Sequence, residues 1–238
     1  MGAIWGSFVG ALCSRWPKGE SIATGRSHCD GCAKVIARYD LVPVVSYFVL
    51  QGRCRSCRQK IAAETIAIEL VAASIGAVSV LAFPEGQALA AAIFGWLLLP
   101  LIILDYSHLW LPNRLVLLLA VTGLFVGPML LPEVMLVDRV IAALSGFLCL
   151  EAIRLAFKIF RGHEGLGAGD PKLFGALGLW LGWEAMPITL LLSSVIGLAV
   201  ALSTRQSSGQ IRSAFPFGSY LAVAASAVSW IHLTIMAT

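Results

Sequence analysis

From about residue 62 to its end, this chain is a succession of apolar stretches roughly twenty residues long, separated by short polar or proline-containing breaks. At about 1.5 Å of rise per residue, such a stretch coiled as a helix crosses the ~30 Å hydrocarbon core of a bilayer. Backbone donors and acceptors in lipid must pair within the structure itself, so a continuous apolar run of this length reads as a helix. The remaining composition agrees: with 58% hydrophobic and 13% charged residues, a soluble fold of 238 residues would leave more apolar surface than it could cover. Segments near 1–14, 62–83, 88–105, 114–131, 137–159, 171–185, 186–203 and 216–236 predict an all-α polytopic membrane protein of about eight transmembrane helices. The first and sixth of these are short for a full crossing.

The polar interruption at 15–61 stands apart. It holds nine of the 17 basic residues (Arg15, Lys18, Arg26, Lys34, Arg38, Arg53, Arg55, Arg58 and Lys60) against the acids Glu20, Asp30 and Asp40. Basic loops stay on the cytoplasmic side, so this loop is expected there, beside the anionic lipid of the bilayer. The chain then divides into a first membrane segment at 1–14, a cytoplasmic loop domain at 15–61 and a membrane-embedded domain at 62–238. Onward, the breaks at 84–87 and 182–186 lack Lys and Arg, and the one near Pro132 has only Arg139 at its edge. The alternate breaks hold Arg114, then Lys158, Arg161 and Lys172, then Arg205 and Arg212.

Within the loop, Cys29 and Cys32 form one Cys-x-x-Cys and Cys54 and Cys57 another. Two such pairs suit a tetrahedral zinc ion, because each turn presents two sulfurs to one metal. A cytoplasmic setting keeps the thiols reduced, and four sulfurs leave no open position, so the zinc is expected to be structural. Cys13 and Cys149 lie among apolar neighbours and read as buried small hydrophobes.

Two acids carry the chemistry. Asp105 ends the third apolar segment and Asp170 opens the sixth; an ionisable group at membrane depth is costly and marks a functional site. Two crossings separate them, so both fall on one face. Pro171 after Asp170 suits a first helical position, which makes Asp170 the expected N-cap of its helix and the charged base, with Asp105, at a helix C-terminus, as the protonated acid. Two carboxylates at one site titrate as a coupled pair. Gly167 and Gly169 let the backbone before Asp170 turn sharply and meet an extended peptide closely. Glu164 and Lys172 flank the motif as supporting residues, Lys172 facing either the carboxylate or lipid phosphate. Glu69, inside the second segment, either lines the site or packs against the basic loop, while Trp96, Trp110, Trp180 and Trp183 sit where interfacial anchors are expected.

The stretch from Gly25 to Ala73, containing all four paired cysteines, resembles the cytoplasmic domain of bacterial type IV prepilin peptidases. So do Asp105 with the later Leu111 and Pro112, the run Glu164–Leu173 (EGLGAGDPKL) and the late Phe215–Ala222 (FPFGSYLA). The resemblance implies a membrane aspartic endopeptidase of the Gly-x-Gly-Asp type in the bacterial inner membrane, with Asp105 and Asp170 as the catalytic pair facing the cytoplasm. Such an enzyme cuts the basic leader from type IV prepilins or type II secretion pseudopilins, after a glycine. Many members also methylate the new N-terminus from S-adenosylmethionine, and that cofactor rests here on the resemblance alone. The family's Gly-Ser-Phe-x-Asn reads Gly6, Ser7, Phe8, Val9, Gly10 in this chain, and Ser107 stands where many members have a second aspartate. Neither a nucleic-acid partner nor an oligomeric state is implied. A proton-coupled or metal-handling transporter is the competing class, since intramembrane acids also build proton relays; such folds usually carry internal repeats, and none is visible here.

Overall fold

The computed structural model describes residues 1–21, 27–29, 31–162, 165–208 and 215–236, apart from the side chains of 205–208 and 234–236. Apart from two isolated β-bridges, the regular structure of these residues is helical: α1 (Gly2–Arg15), the short α2 (Val45–Val49), α3 (Ala63–Ala82), α4 (Glu85–His108), α5 (Asn113–Leu130), α6 (Leu136–Arg161), α7 (Asp170–Leu181), α8 (Ala185–Ser208) and α9 (Phe217–Met236). Each expected apolar segment is a helix, with ends displaced by a few residues. Among the described residues, five helices, α3, α4, α5, α6 and α8, are long and apolar enough to cross a membrane, and α9 contributes a shorter apolar helix. The protein is an all-helical, multi-pass membrane protein. At 14 and 12 residues, α1 and α7 fall short of that length.

The chain forms two compact units, Met1–Ala82 and Phe83–Thr238. In the first, α1 lies against α3 through small residues: a methyl group on Gly6 would stand 2.6 Å from the Glu69 Cα, and one on Gly2 would strike the Ala72 carbonyl. Small residues spaced by four bring helix backbones close enough for dispersion to replace the hydrophobic effect, which is absent in lipid.

In the second unit, α4 and α7 form the interior. The apolar window of α4 is 61% buried, against 17% for α6, and ten of the twelve residues of α7 are buried. Gly178 allows α7 to approach α6, since a methyl there would lie 2.7 Å from the Ala142 carbonyl carbon. Around these helices Phe94, Leu98, Leu101, Leu173, Leu177 and Leu181 build one apolar core.

Arg139 ends α7. Expected as a charge at the edge of a loop, it is fully buried in the first turn of α6. Its guanidinium donates to the carbonyls of Leu179 (2.9 Å) and Trp180 (2.7 Å) at the end of α7, and to Gly127 (3.0 Å) and Leu131 (2.6 Å) at the end of α5. Nε completes the set at the Val134 carbonyl, 3.3 Å away. The final carbonyls of a helix have no partner within it, and here one planar cation caps two helices at once. Gly182, at φ +76, then turns the chain away.

Two expectations are corrected. Trp180 is no interfacial anchor: it is fully buried, packs against Phe94 as a tilted pair with ring centroids 4.7 Å apart, and donates its indole N–H to the Leu119 carbonyl at 2.8 Å. Cys149 is exposed on α6 rather than buried, whereas Cys13 is buried as expected.

Candidate active site

Asp105 sits in the last turn of α4, where its carbonyl accepts the N–H of Leu109 at 2.8 Å. Leu109 adopts φ +52, left-handed backbone that stops the helix and turns the chain toward Leu111 and Pro112. Asp170 is the first residue of α7, not its N-cap; that position belongs to Gly169. The turn leading in closes on itself, with Asp170 N–H donating to the Gly167 carbonyl (3.2 Å) and Gly167 N–H donating back to Asp170 Oδ2 (3.1 Å).

Both carboxylates are buried, and the start of α9 brings them together. A methyl group on Gly218 would lie 2.9 Å from Asp170 Oδ1 and 3.1 Å from Asp105 Oδ2, so the two acids flank a gap the size of one missing side-chain carbon. Ser219 donates its backbone N–H to Asp105 Oδ2 at 2.6 Å, and its hydroxyl lies 3.0 Å from the same oxygen. The Gly218 amide faces Asp170. First-turn amides have no partner inside their own helix, so the opening of α9 is a ready pair of donors for two acids. Donors therefore reach both carboxylates, which offsets the asymmetry expected from their helix ends alone.

Gly169 serves sterically. A methyl there would stand 2.7 Å from Leu111 Cβ, and the same leucine's Cδ1 comes within 2.7 Å of a methyl on Gly218. Leu111 thus packs between the two glycines and beside both acids, a role its place in the motif did not reveal. Lys172 is exposed and donates to Asn113 Oδ1 at 3.0 Å, joining the starts of α7 and α5. Glu164 lies outside the described residues. Glu69, in the other unit, accepts the Val44 N–H at 2.7 Å and so anchors the basic loop, holding a residue at φ +65. Gly218 and Ser219 went unrecognised as site residues; the only signal was FPFGSYLA, where nothing local marks the start of a helix aimed at two acids.

The cysteine loop repeats one turn twice. Cys29 N–H donates to the Lys34 carbonyl and Ala33 N–H to the Cys29 carbonyl; Cys54 with Gln59, and Arg58 with Cys54, make the same pair of bonds. Ala33 and Arg58 both take positive φ, at 54° and 61°. The four sulfurs lie within 4.8 Å of one another, and Cys29 Sγ is 3.7 Å from Cys57 Sγ. Zinc–sulfur bonds of about 2.3 Å in a tetrahedron place sulfurs about 3.8 Å apart, so the donor set fits a metal ion. Backbone N–H groups of Cys57 and then Ser56 pull the Cys54 thiol down to about 6, which favours the thiolate a metal needs. Nearby, Arg55 holds Asp40 in a bidentate pair at 2.7 and 2.9 Å and keeps that carboxyl below the usual range.

Residues 1–83 match the family model for the bacterial peptidase A24 N-terminal domain, and residues 92–202 match that of the type IV leader peptidase family. A protein from Aeromonas hydrophila named prepilin leader peptidase/N-methyltransferase is 40% identical over 211 residues, covering 87% of this chain and 71% of its own length. This chain belongs to the type IV leader peptidase family. A similarly named protein of Burkholderia pseudomallei strain 1026b is 39% identical over 223 residues, covering 92% of this chain and 72% of its own length. The type 4 prepilin-like proteins leader peptide-processing enzyme of an enterotoxigenic Escherichia coli is 32% identical over 250 residues, covering 97% and 91%. No solved structure matches the chain. As a member of the leader peptidase family, the chain carries Asp105, Leu111 and Asp170 inside the span of the peptidase model, whereas Gly218 and Ser219 lie beyond it.

Proposed function

We propose that this protein is an aspartic endopeptidase of the inner membrane that removes basic leader peptides from type IV prepilins or type II secretion pseudopilins, with Asp105 and Asp170 as the reacting pair. The observation that carries this reading is the meeting of two buried carboxylates across the Cβ-less Gly218. One ionised carboxylate takes a proton from water as that water attacks the scissile carbonyl, and the protonated partner delivers a proton to the departing amine. Gly167 holds Asp170, and the absence of side chains at Gly167 and Gly169 keeps the turn tight. Lys172 supports the site by fixing the start of α7 through Asn113. Glu164, outside the described residues, is proposed as a supporting residue from its place in the sequence just before Gly167 and Asp170.

The excess of Lys and Arg at 15–61 supports a cytoplasmic active site, a reading in which α1 and α7 are also counted as crossings. Zinc is the ion proposed for Cys29, Cys32, Cys54 and Cys57, as a structural clip for a loop without a core of its own. The names of the relatives support methylation of the new N-terminus. S-adenosylmethionine would supply an electrophilic methyl group for that step. A cavity of about 410 Å3 in the first unit has room for such a nucleoside, with Tyr39 and Tyr47 available to an adenine ring and Lys34 and Lys60 to a carboxylate.

The test is cleavage of a prepilin by the detergent-solubilised protein, alongside Asp105→Asn and Asp170→Asn. Loss of cleavage in both is expected; undiminished cleavage in both would overturn the pair. A gain of one methyl in the mass of the mature product would report the second activity. The transporter reading is not favoured, because the related proteins carry peptidase names over most of this chain.

A further inference from the structure

Ser219 is buried in the first turn of α9, and its hydroxyl has two acceptors in reach: Asp105 Oδ2 at 3.0 Å and the Ile102 carbonyl at 2.9 Å. A hydroxyl has one proton to give and lone pairs to receive, so it cannot serve both acceptors at once. The two acceptors correspond to the two forms of Asp105. Facing the ionised carboxylate, both Ser219 donors, amide and hydroxyl, converge on Oδ2. Facing the acid protonated at Oδ2, the hydroxyl turns to the Ile102 carbonyl and its oxygen accepts the Asp105 O–H. Only a torsion about the Ser219 Cβ–Oγ bond separates the arrangements, no heavy atom moves, and neither form leaves a buried polar group without a partner.

We infer that Ser219 is a positioning residue for the reaction, a hydroxyl rotor that keeps Asp105 hydrogen-bonded in both protonation states and so lets it carry a proton through the catalytic cycle. The inference rests on the reading of Asp105 and Asp170 as the reacting pair. Ile102 lies one helical turn before Asp105 on α4, so carbonyl and carboxylate share one face and the spacing of the two acceptors is set by the helix itself. The Ser219 amide holds Oδ2 whatever the side chain, which separates the two contributions: removing the hydroxyl leaves the carboxylate in place and takes away only the rotor.

Steady-state cleavage of a prepilin by the purified full-length protein, with thermal unfolding measured in parallel, tests this. Ser219→Ala is expected to lower kcat about tenfold, the equivalent of one lost hydrogen bond, with KM within about twofold of wild type. Ser219→Thr, which keeps the hydroxyl, is expected to retain kcat to within about threefold. If Ser219→Ala does not fold, Ser219→Cys, with its weak donor, is read in its place and is expected to show the same loss in kcat. Wild-type kcat in the hydroxyl-free variant, a loss confined to KM, or a folded Thr variant as slow as the Ala variant would each overturn the rotor. Asp105→Asn and Asp170→Asn separate the levels: if both still cleave, the underlying pair fails, and if both are inactive while Ser219→Ala is not slowed, only the rotor fails.

Discussion

Replacing Arg139 with methionine removes the cap shared by α5 and α7 while keeping a long, flexible side chain in its place. The guanidinium makes five hydrogen bonds to carbonyls. Gly127 and Leu131 retain backbone donors, the N–H groups of Leu131 and Val134, and the bond to the Val134 carbonyl is the longest of the five at 3.3 Å, so the cost is counted on the Leu179 and Trp180 carbonyls, in the last turn of α7, where no further turn of helix supplies partners. Leaving a buried acceptor unpaired costs about 1–3 kcal/mol, so two give about 2–6 kcal/mol. Part is recovered because the variant no longer buries a cation, which places the expected loss in the lower half of that range. At roughly 2–4 °C per kcal/mol for a chain of this length, Arg139→Met is expected to unfold about 4–16 °C below wild type in detergent. Arg154→Met, which breaks an ion pair with Glu151 on the face of α6, is the control and is expected to shift the midpoint by no more than about 2 °C. Because α7 also carries Asp170 at its other end, cleavage by Arg139→Met is expected to fall more steeply with temperature than that of the control. A melting midpoint for Arg139→Met indistinguishable from wild type would refute the capping argument.

The remaining predictions concern the two sites. Gly218→Ala should lower kcat by about 10²-fold, because its methyl enters the gap between the carboxylates; trimming Leu111 to Ala should not restore it, since the crowding oxygens remain. Gly169→Ala should also lose activity, through its clash with Leu111 Cβ, and here Leu111→Gly in the same chain should recover part of it, as measured by initial cleavage rates. Metal uptake by the cysteine loop, followed by chelator competition and metal analysis, should weaken as pH falls through about 6. The sign follows from Cys54: its thiolate is present above that value and takes up a proton below it. Cys54→Ser should lose the bound metal and open the loop to proteolysis at neutral pH.

Much of the architecture was legible because lipid imposes a simple rule on sequence. Apolar runs near twenty residues must be helices, and α3, α4, α5, α6 and α8 appear where the runs stand. The four-cysteine cluster was equally legible, since each Cys-x-x-Cys turn is local and brings its own two sulfurs. Asp105 and Asp170 stood out because charge is rare in such segments. What escaped was everything that depends on which helix lies against which. Trp180 reads as an interfacial anchor until α7 is found in the middle of the second unit. Arg139 reads as a loop charge until the ends of α5 and α7 are seen to converge on it. The expected asymmetry between the two acids came from their own helix ends, and the structure adds donors from a third helix that starts far along the chain.

Sequence by itself therefore determined the solvent this protein folds in, the helical type of its main elements, and the residues with unusual chemistry, because each of these follows from local composition and spacing. Tertiary structure decided what those residues do together. The gap at Gly218, the Ser219 hydroxyl between Asp105 and Ile102, and the cap that ends α7 all join groups tens of residues apart. Their energies come from hydrogen bonds and contacts that exist only once the helices have packed.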